Sequence, residues 1–162
     1  MKKIRFLFFA AIALLAVSCG KEGPEGSANV TVKKIATPTA WASGSYLGQT
    51  VNTQTITDAD ITSTLLEKGM VLYYLKLFGQ WYNLPLIWQS GTEDQFVVNT
   101  TSLGQINLFA WSKTAGVVSG LSPASDSSKY ILIYDRSITS GRVRDISKLS
   151  YEDACAVLGV QP

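Results

Sequence analysis

The chain of 162 residues contains no histidine. That absence removes the commonest general base, the Ser-His and Cys-His nucleophile pairs and the commonest metal ligand together. Cysteine is almost as scarce, with only Cys19 and Cys155. No apolar run is long either. The longest, Phe6 to Val17, has twelve residues, short of the about 20 that a helix rising roughly 1.5 Å per residue needs to cross about 30 Å of hydrocarbon. No constellation of residues names a reaction or a ligand, and the expectation is a protein without catalytic residues, metal or cofactor.

What is present begins at the N-terminus. Lys2, Lys3 and Arg5 precede the apolar run, and the run leads directly into Ser18 and Cys19, which is the anatomy of an export signal. In Ala16-Val17-Ser18-Cys19 small side chains let an extended backbone enter a peptidase cleft while the thiol accepts a diacylglycerol. This order resembles the lipobox at which bacterial lipoproteins are cut and acylated, with Ala16 where a leucine is usual and Leu15 one residue away. The resemblance implies a signal peptide over residues 1–18, acyl chains such as palmitate on Cys19, and attachment to a membrane through that lipid. Two or three chains on one cysteine anchor stably, because each buried methylene contributes roughly 0.8 kcal/mol and a single chain is marginal.

The mature chain then has 144 residues, starting at Cys19, which fits one domain. A chain of about 150 residues buries roughly 68–70% of its unfolded surface, enough for a core. Fourteen Lys and Arg against twelve Asp and Glu give a formal +2, but three of the cations lie in the signal, and the remaining eleven leave a balance of −1. A surface so close to neutral implies no nucleic-acid partner. With Cys19 acylated, Cys155 is the lone thiol and no internal disulfide forms.

Residues 19–28 read as a tether. Gly20, Gly23 and Gly26 head three Gly-x-y triplets, too few for a collagen helix, so composition indicates a flexible linker. A lipoprotein cysteine, GPEG-type triplets and then a β-rich domain of roughly this size resemble the collagen-like-stalk lipoproteins of Bacteroidetes, here with the stalk reduced to a stub. Gly20-Lys21-Glu22 is similar to the Lys-acidic signal that sends some lipoproteins of that phylum to the cell surface. The resemblance implies an outer-membrane location, a surface-exposed binding or adhesion module, and a stalk-head arrangement in which a trimer is an option.

Residues 29–162 read as one domain. Asn29 to Thr37, Val51 to Ile56, Gln95 to Thr100, Gln105 to Ser112 and Lys129 to Asp135 have strand character, separated by Gly, Ser, Asn and Pro clusters. Trp41 to Gly48 reads as a Ser/Gly-rich connection. The most informative stretch is Met70 to Trp88, where two apolar runs flank Gly79-Gln80. Glycine first in a two-residue loop predicts a type II′ hairpin in which Phe78 faces Trp81, Leu77 faces Tyr82, Lys76 faces Asn83, Leu75 faces Leu84, Tyr73 faces Leu86 and Val71 faces Trp88. Alternation then puts Val71, Tyr73, Leu75, Leu77, Tyr82, Leu84, Leu86 and Trp88 on one core-facing side. Pro85 makes the second strand an edge, or bulged, beyond Leu84. About seven short strands predict a mainly β fold, an antiparallel β-sandwich.

Two helices complete the prediction. Thr57 and Asp60 have capping-box spacing ahead of Ile61, Leu65 and Leu66, with Gly69 at the end, giving a short helix near 58–68. Ser150 and Asp153 repeat that spacing ahead of a Tyr151, Ala154, Cys155, Leu158 stripe and Gly159, giving a C-terminal helix near 150–158.

Candidate sites follow from exposure. Tyr74, Phe78 and Trp81 fall on the side of the hairpin opposite the predicted core, where aromatics can stack on a glycan or fill a protein partner's pocket; a covering element would turn them into core. Cys155 reads as core on its helix stripe. Asp58 with Asp60, and Glu93 with Asp94, are close carboxylate pairs, but a hydrolase needs two carboxylates set roughly 5–10 Å apart across a cleft. They read as loop or cap residues, leaving a carboxylate-based hydrolase as the alternative function. Arg136, Arg142, Arg144 and Lys148 suggest an anion site, against local pairing with Asp135, Asp145 and Glu152.

Overall fold

The structure, a computed structural model, describes residues 29–35, 40–123, 127–135 and 145–162. The export signal, Cys19, the tether and Arg136, Arg142 and Arg144 lie outside the described residues.

The run Met70–Leu77 (β4) is apolar on both faces because both faces are covered. Tyr73, Leu75 and Leu77 point into one hydrophobic cluster and Leu72 and Tyr74 into another. Around it stand Val30–Ile35 (β1), Ser128–Ile133 (β10) and Gln80–Asn83 (β5) in a four-stranded sheet ordered β1-β10-β4-β5. The second sheet contains Ala42–Tyr46 (β2), Gln49–Thr57 (β3), Leu86–Ser90 (β6), Glu93–Ser102 (β7), Gln105–Thr114 (β8) and Val117–Gly120 (β9). Its order is β2-β3-β8-β7-β6, with β9 beside β8. Every pairing is antiparallel.

The sheets face each other as a β-sandwich, and their inner faces close on one core. β8 shows the period: Ile106, Leu108 and Ala110 are buried in the core, while Asn107, Phe109 and Trp111 point outward and are half-buried. The other side of the four-stranded sheet is covered by the C-terminal helix Tyr151–Leu158 (α2), so Ile131 and Ile133 are buried there with Tyr151, Ala154, Cys155 and Leu158. That helix matches its prediction. The Ser150 hydroxyl caps the Asp153 amide at 3.1 Å, and Gly159 ends the helix in the left-handed region.

Three local predictions are corrected. The hairpin loop is Phe78-Gly79, with both residues at positive φ (52° and 79°), and Leu77 pairs with Gln80. This is the mirror-image turn whose twist suits flanking strands; it slips the register by two residues, so the faces are preserved. After Leu84, whose amide makes the last rung to the Tyr73 carbonyl at 2.9 Å, the chain passes through Pro85 and crosses to the other sheet. Leu86 therefore pairs with Val97 and Trp88 with Gln95, not with Tyr73 and Val71. All eight predicted core residues still meet in one cluster, because the two sheets face each other.

The short helix (α1) covers Ser63–Lys68, and its cap is Thr62, which accepts from the Leu65 amide at 3.2 Å, rather than Thr57. Asp58 and Asp60 are committed elsewhere, as described below. Finally, the segment that reads as a connection contains β2, and β9 lies where no strand is predicted; with the hairpin's second arm split between sheets, the described residues hold ten strands against seven expected. Ala42-Ser43-Gly44-Ser45 has no apolar alternation to betray a strand, because β2 is an edge with one exposed face.

Candidate functional site

The hairpin aromatics do not share an exposed face. Tyr74 is fully buried, and the Tyr151 ring of α2 lies edge-on to it at 5.4 Å. The same Tyr151 ring packs on Trp81 at 5.4 Å, and the Lys129 ammonium lies 4.1 Å from the Tyr151 ring centre and 4.9 Å from that of Trp81. Trp81 is thereby half-buried. Only Phe78 stands clear, 86% exposed at the turn. The speculative site Tyr74, Phe78 and Trp81 is corrected accordingly: the helix that the sequence predicted is the element that covers it. Cys155 is buried in this layer, and burial pushes its thiol up, away from a reactive thiolate.

The Asp58-Asp60 pair forms a clasp. Lys33 of β1 donates to Asp58 Oδ1 at 3.1 Å and to Asp60 Oδ2 at 2.5 Å, and Tyr130 of β10 donates to Asp58 Oδ2 at 2.7 Å. The Asp60 amide adds a bond to Asp58 at 3.0 Å. Burial raises the Asp58 carboxyl, but the bonds from Tyr130, the Asp60 amide and Lys33 together outweigh it and hold it below its ordinary value. The Asp60 bond first, against desolvation, keeps Lys33 above its own. The clasp ties β1 and β10 to the loop before α1. Lys148 pairs with Asp145 at 2.6 Å, the local pairing anticipated for it. Among the described residues, no three His, Cys, Asp or Glu side chains group as a metal site, and no helix is long and apolar enough to cross a membrane.

A concave surface feature lies on the outward face of the six-stranded sheet, where no helix packs among the described residues. Alternation puts Ile87, Phe96, Val98, Phe109 and Trp111 on that face, opposite the core-facing Leu86, Val97, Leu108 and Ala110. Phe96 and Trp111, directly opposite across β7 and β8, stack with centroids 5.0 Å apart and planes 7° from parallel. β3 pairs with β8 only from Asn52 onward, because β9 takes the place beside β8 beyond Ala110. The β2–β3 hairpin is thus free of β8 at its tip, and Tyr46 reaches Phe109 at 4.4 Å and Trp111 at 5.7 Å.

Between that tip and the sheet runs a groove of about 280 Å³ lined by Tyr46, Leu47, Gln49, Val51, Ile87, Phe96, Val98 and Trp111. None of the lining residues is charged. Leu47 is 85% exposed and Ile87 63% exposed, so the rim offers apolar surface to an incoming group. Sequence reasoning missed this site because Phe96, Trp111 and Tyr46 come from three separate segments; the available signal was the outward parity of Phe96, Phe109 and Trp111 once Val97 and Leu108 are assigned inward.

No protein-family model, curated protein or solved structure matches the chain.

Proposed function

We propose that the protein is a lipid-anchored binding module of a bacterial cell envelope, held through Cys19 at the outer membrane, whose groove on the six-stranded sheet receives an apolar group of a protein ligand. The observation that carries the binding half is the uncharged groove between Tyr46 and Trp111 with Leu47 and Ile87 at its rim. The anchor half rests on the export signal and lipobox-like Ala16-Val17-Ser18-Cys19, and the collagen-like-stalk resemblance supports the outer-membrane placement.

A protein ligand is favoured over a glycan. Of the groove rings, Phe96 and Trp111 stack on each other, which engages one face of each. A sugar would also bring many hydroxyls to a mostly apolar lining in which only Tyr46, Gln49 and Trp111 carry polar side-chain groups, and unpaired polar groups cost about 1–3 kcal/mol each. A carboxylate-based hydrolase draws less support, because Asp58 and Asp60 are bonded to Lys33 and no carboxylate lines the groove. The stalk-head role rests on the glycine triplets alone.

Two measurements test the two halves. Radiolabelled palmitate should enter the protein and be absent from Cys19→Ala; label persisting in that variant removes the anchor. Nile red should brighten on a soluble form beginning at Asn29 and stay dim with Ile87→Asp; equal fluorescence from both removes the groove as an open apolar site.

A further inference from the structure

We propose that an internal water molecule lies between the four-stranded sheet and the head of α2, hydrogen-bonded to the hydroxyls of Tyr74 and Tyr151 and to Oδ1 of Asn83. The site is on the opposite side of the sandwich from the groove and is independent of the function proposed above.

Among the described residues, four buried side-chain oxygens find no hydrogen-bond partner in the protein: Tyr74 Oη, Asn83 Oδ1, Ser102 Oγ and Tyr151 Oη. Three of the four belong to one layer. Tyr74 of β4 and Asn83 of β5 are direct partners across the sheet, so their side chains share a face. That face is the one α2 covers, and Tyr151, the first residue of α2, sets its ring edge-on to Tyr74 at 5.4 Å. Asn83 is held in the same place, since its Nδ2 donates to the carbonyl of Ser147, in the turn Ile146–Lys148 that leads towards the helix.

Native proteins rarely leave buried polar atoms unpaired, and interior water is a common partner for those the chain itself does not satisfy. The chemistry of each atom closes off other solutions. Turning the Asn83 amide over would set its oxygen against the Ser147 carbonyl, so Oδ1 stays an acceptor in need of a donor. Burial pushes both phenols up and the nearby Cys155 thiol adds to this, so both keep their protons and can donate. That thiol is a weak acceptor, and it is not placed to make a proper hydrogen bond with the Tyr151 hydroxyl. The Lys129 ammonium meets the face of the Tyr151 ring, 4.1 Å from its centre. A water suits the set. It donates to Asn83 Oδ1 and to one hydroxyl and accepts from the other, and about three bonds is what a buried water makes. It ties β4 and β5 to the first turn of α2, beside the apolar contacts of Ala154, Cys155 and Leu158.

The test is a crystal structure, at a resolution that shows ordered water, of the chain as its host processes it, solubilised in detergent. Density for a water bonded to two or three of these oxygens supports the proposal; none, or a water on a single one, overturns it. Urea unfolding of Tyr74→Phe, Tyr151→Phe and the double variant gives an independent reading. Each single change should lower the midpoint, and the second should lower it less once the first is made, because both act through the same water. A midpoint that rises or does not move with either change marks a dry, unpartnered hydroxyl and overturns the proposal.

Discussion

Trp111 and Phe96 stack at 5.0 Å on the side of their sheet turned away from the core. Two large rings in that position serve no interior: the core beneath them is already closed by Val97 and Ala110, both fully buried. Their placement gives the outer face an apolar surface, and under the proposed function it separates residues that hold the fold from residues that would meet a ligand.

Ile87→Ser is the cleanest test of that separation. Its side chain is 63% exposed, so the urea midpoint should move by no more than about 0.5 kcal/mol in stability, whereas binding of a groove-dependent peptide should fall. Leu108→Ala, at a fully buried core position of the same sheet, should instead cost about 2–5 kcal/mol.

The Asp58 clasp predicts a defined acid response. Its carboxyl lies below its ordinary value in the folded state, so its contribution is present above the unfolded value and is lost as pH falls through the folded one. Urea unfolding at successive pH values should show stability declining below about pH 4, and Asp58→Asn should flatten that part of the curve. At neutral pH the same variant should cost about 1–3 kcal/mol, since it leaves Lys33 short of a partner.

Phe78 occupies the first loop position of its hairpin at φ 52°, 86% exposed. Asparagine suits that left-handed position better than a bulky aromatic. Phe78→Asn should raise stability by about 0.5–1 kcal/mol, measured by chemical denaturation. A loss would mean that the ring makes a contact absent from this structure.

Ser150→Ala should cost about 1 kcal/mol by removing the cap on the Asp153 amide. Hydrogen exchange should then show earlier opening of α2 and of the Tyr74 region beneath it, with the β7–β8 pairing unaffected.

The sandwich was readable in the sequence because turn residues punctuate it at short intervals and because Met70 to Trp88 places two apolar runs either side of a glycine turn. The eight-residue core face held even though the register and the sheet assignment were wrong, since a slip of two preserves faces and the crossing at Pro85 carries Leu86 and Trp88 to the facing sheet. α2 was legible from Ser150, its stripe and Gly159. What it covers was not. Tyr74 and Trp81 looked exposed because local pattern gives parity and says nothing of which distant element lands on a face. The groove was hidden for the same reason, as its walls come from β2, β6, β7 and β8.

The central claim is that the groove receives part of another polypeptide at the cell envelope. Placing a photoreactive phenylalanine analogue at Ile87 in living cells, with the exposed Glu67 of α1 as the control position, tests it directly. The account predicts a discrete cross-linked polypeptide from position 87 that is missing from position 67; no adduct at 87, or the same adducts from both, would contradict it.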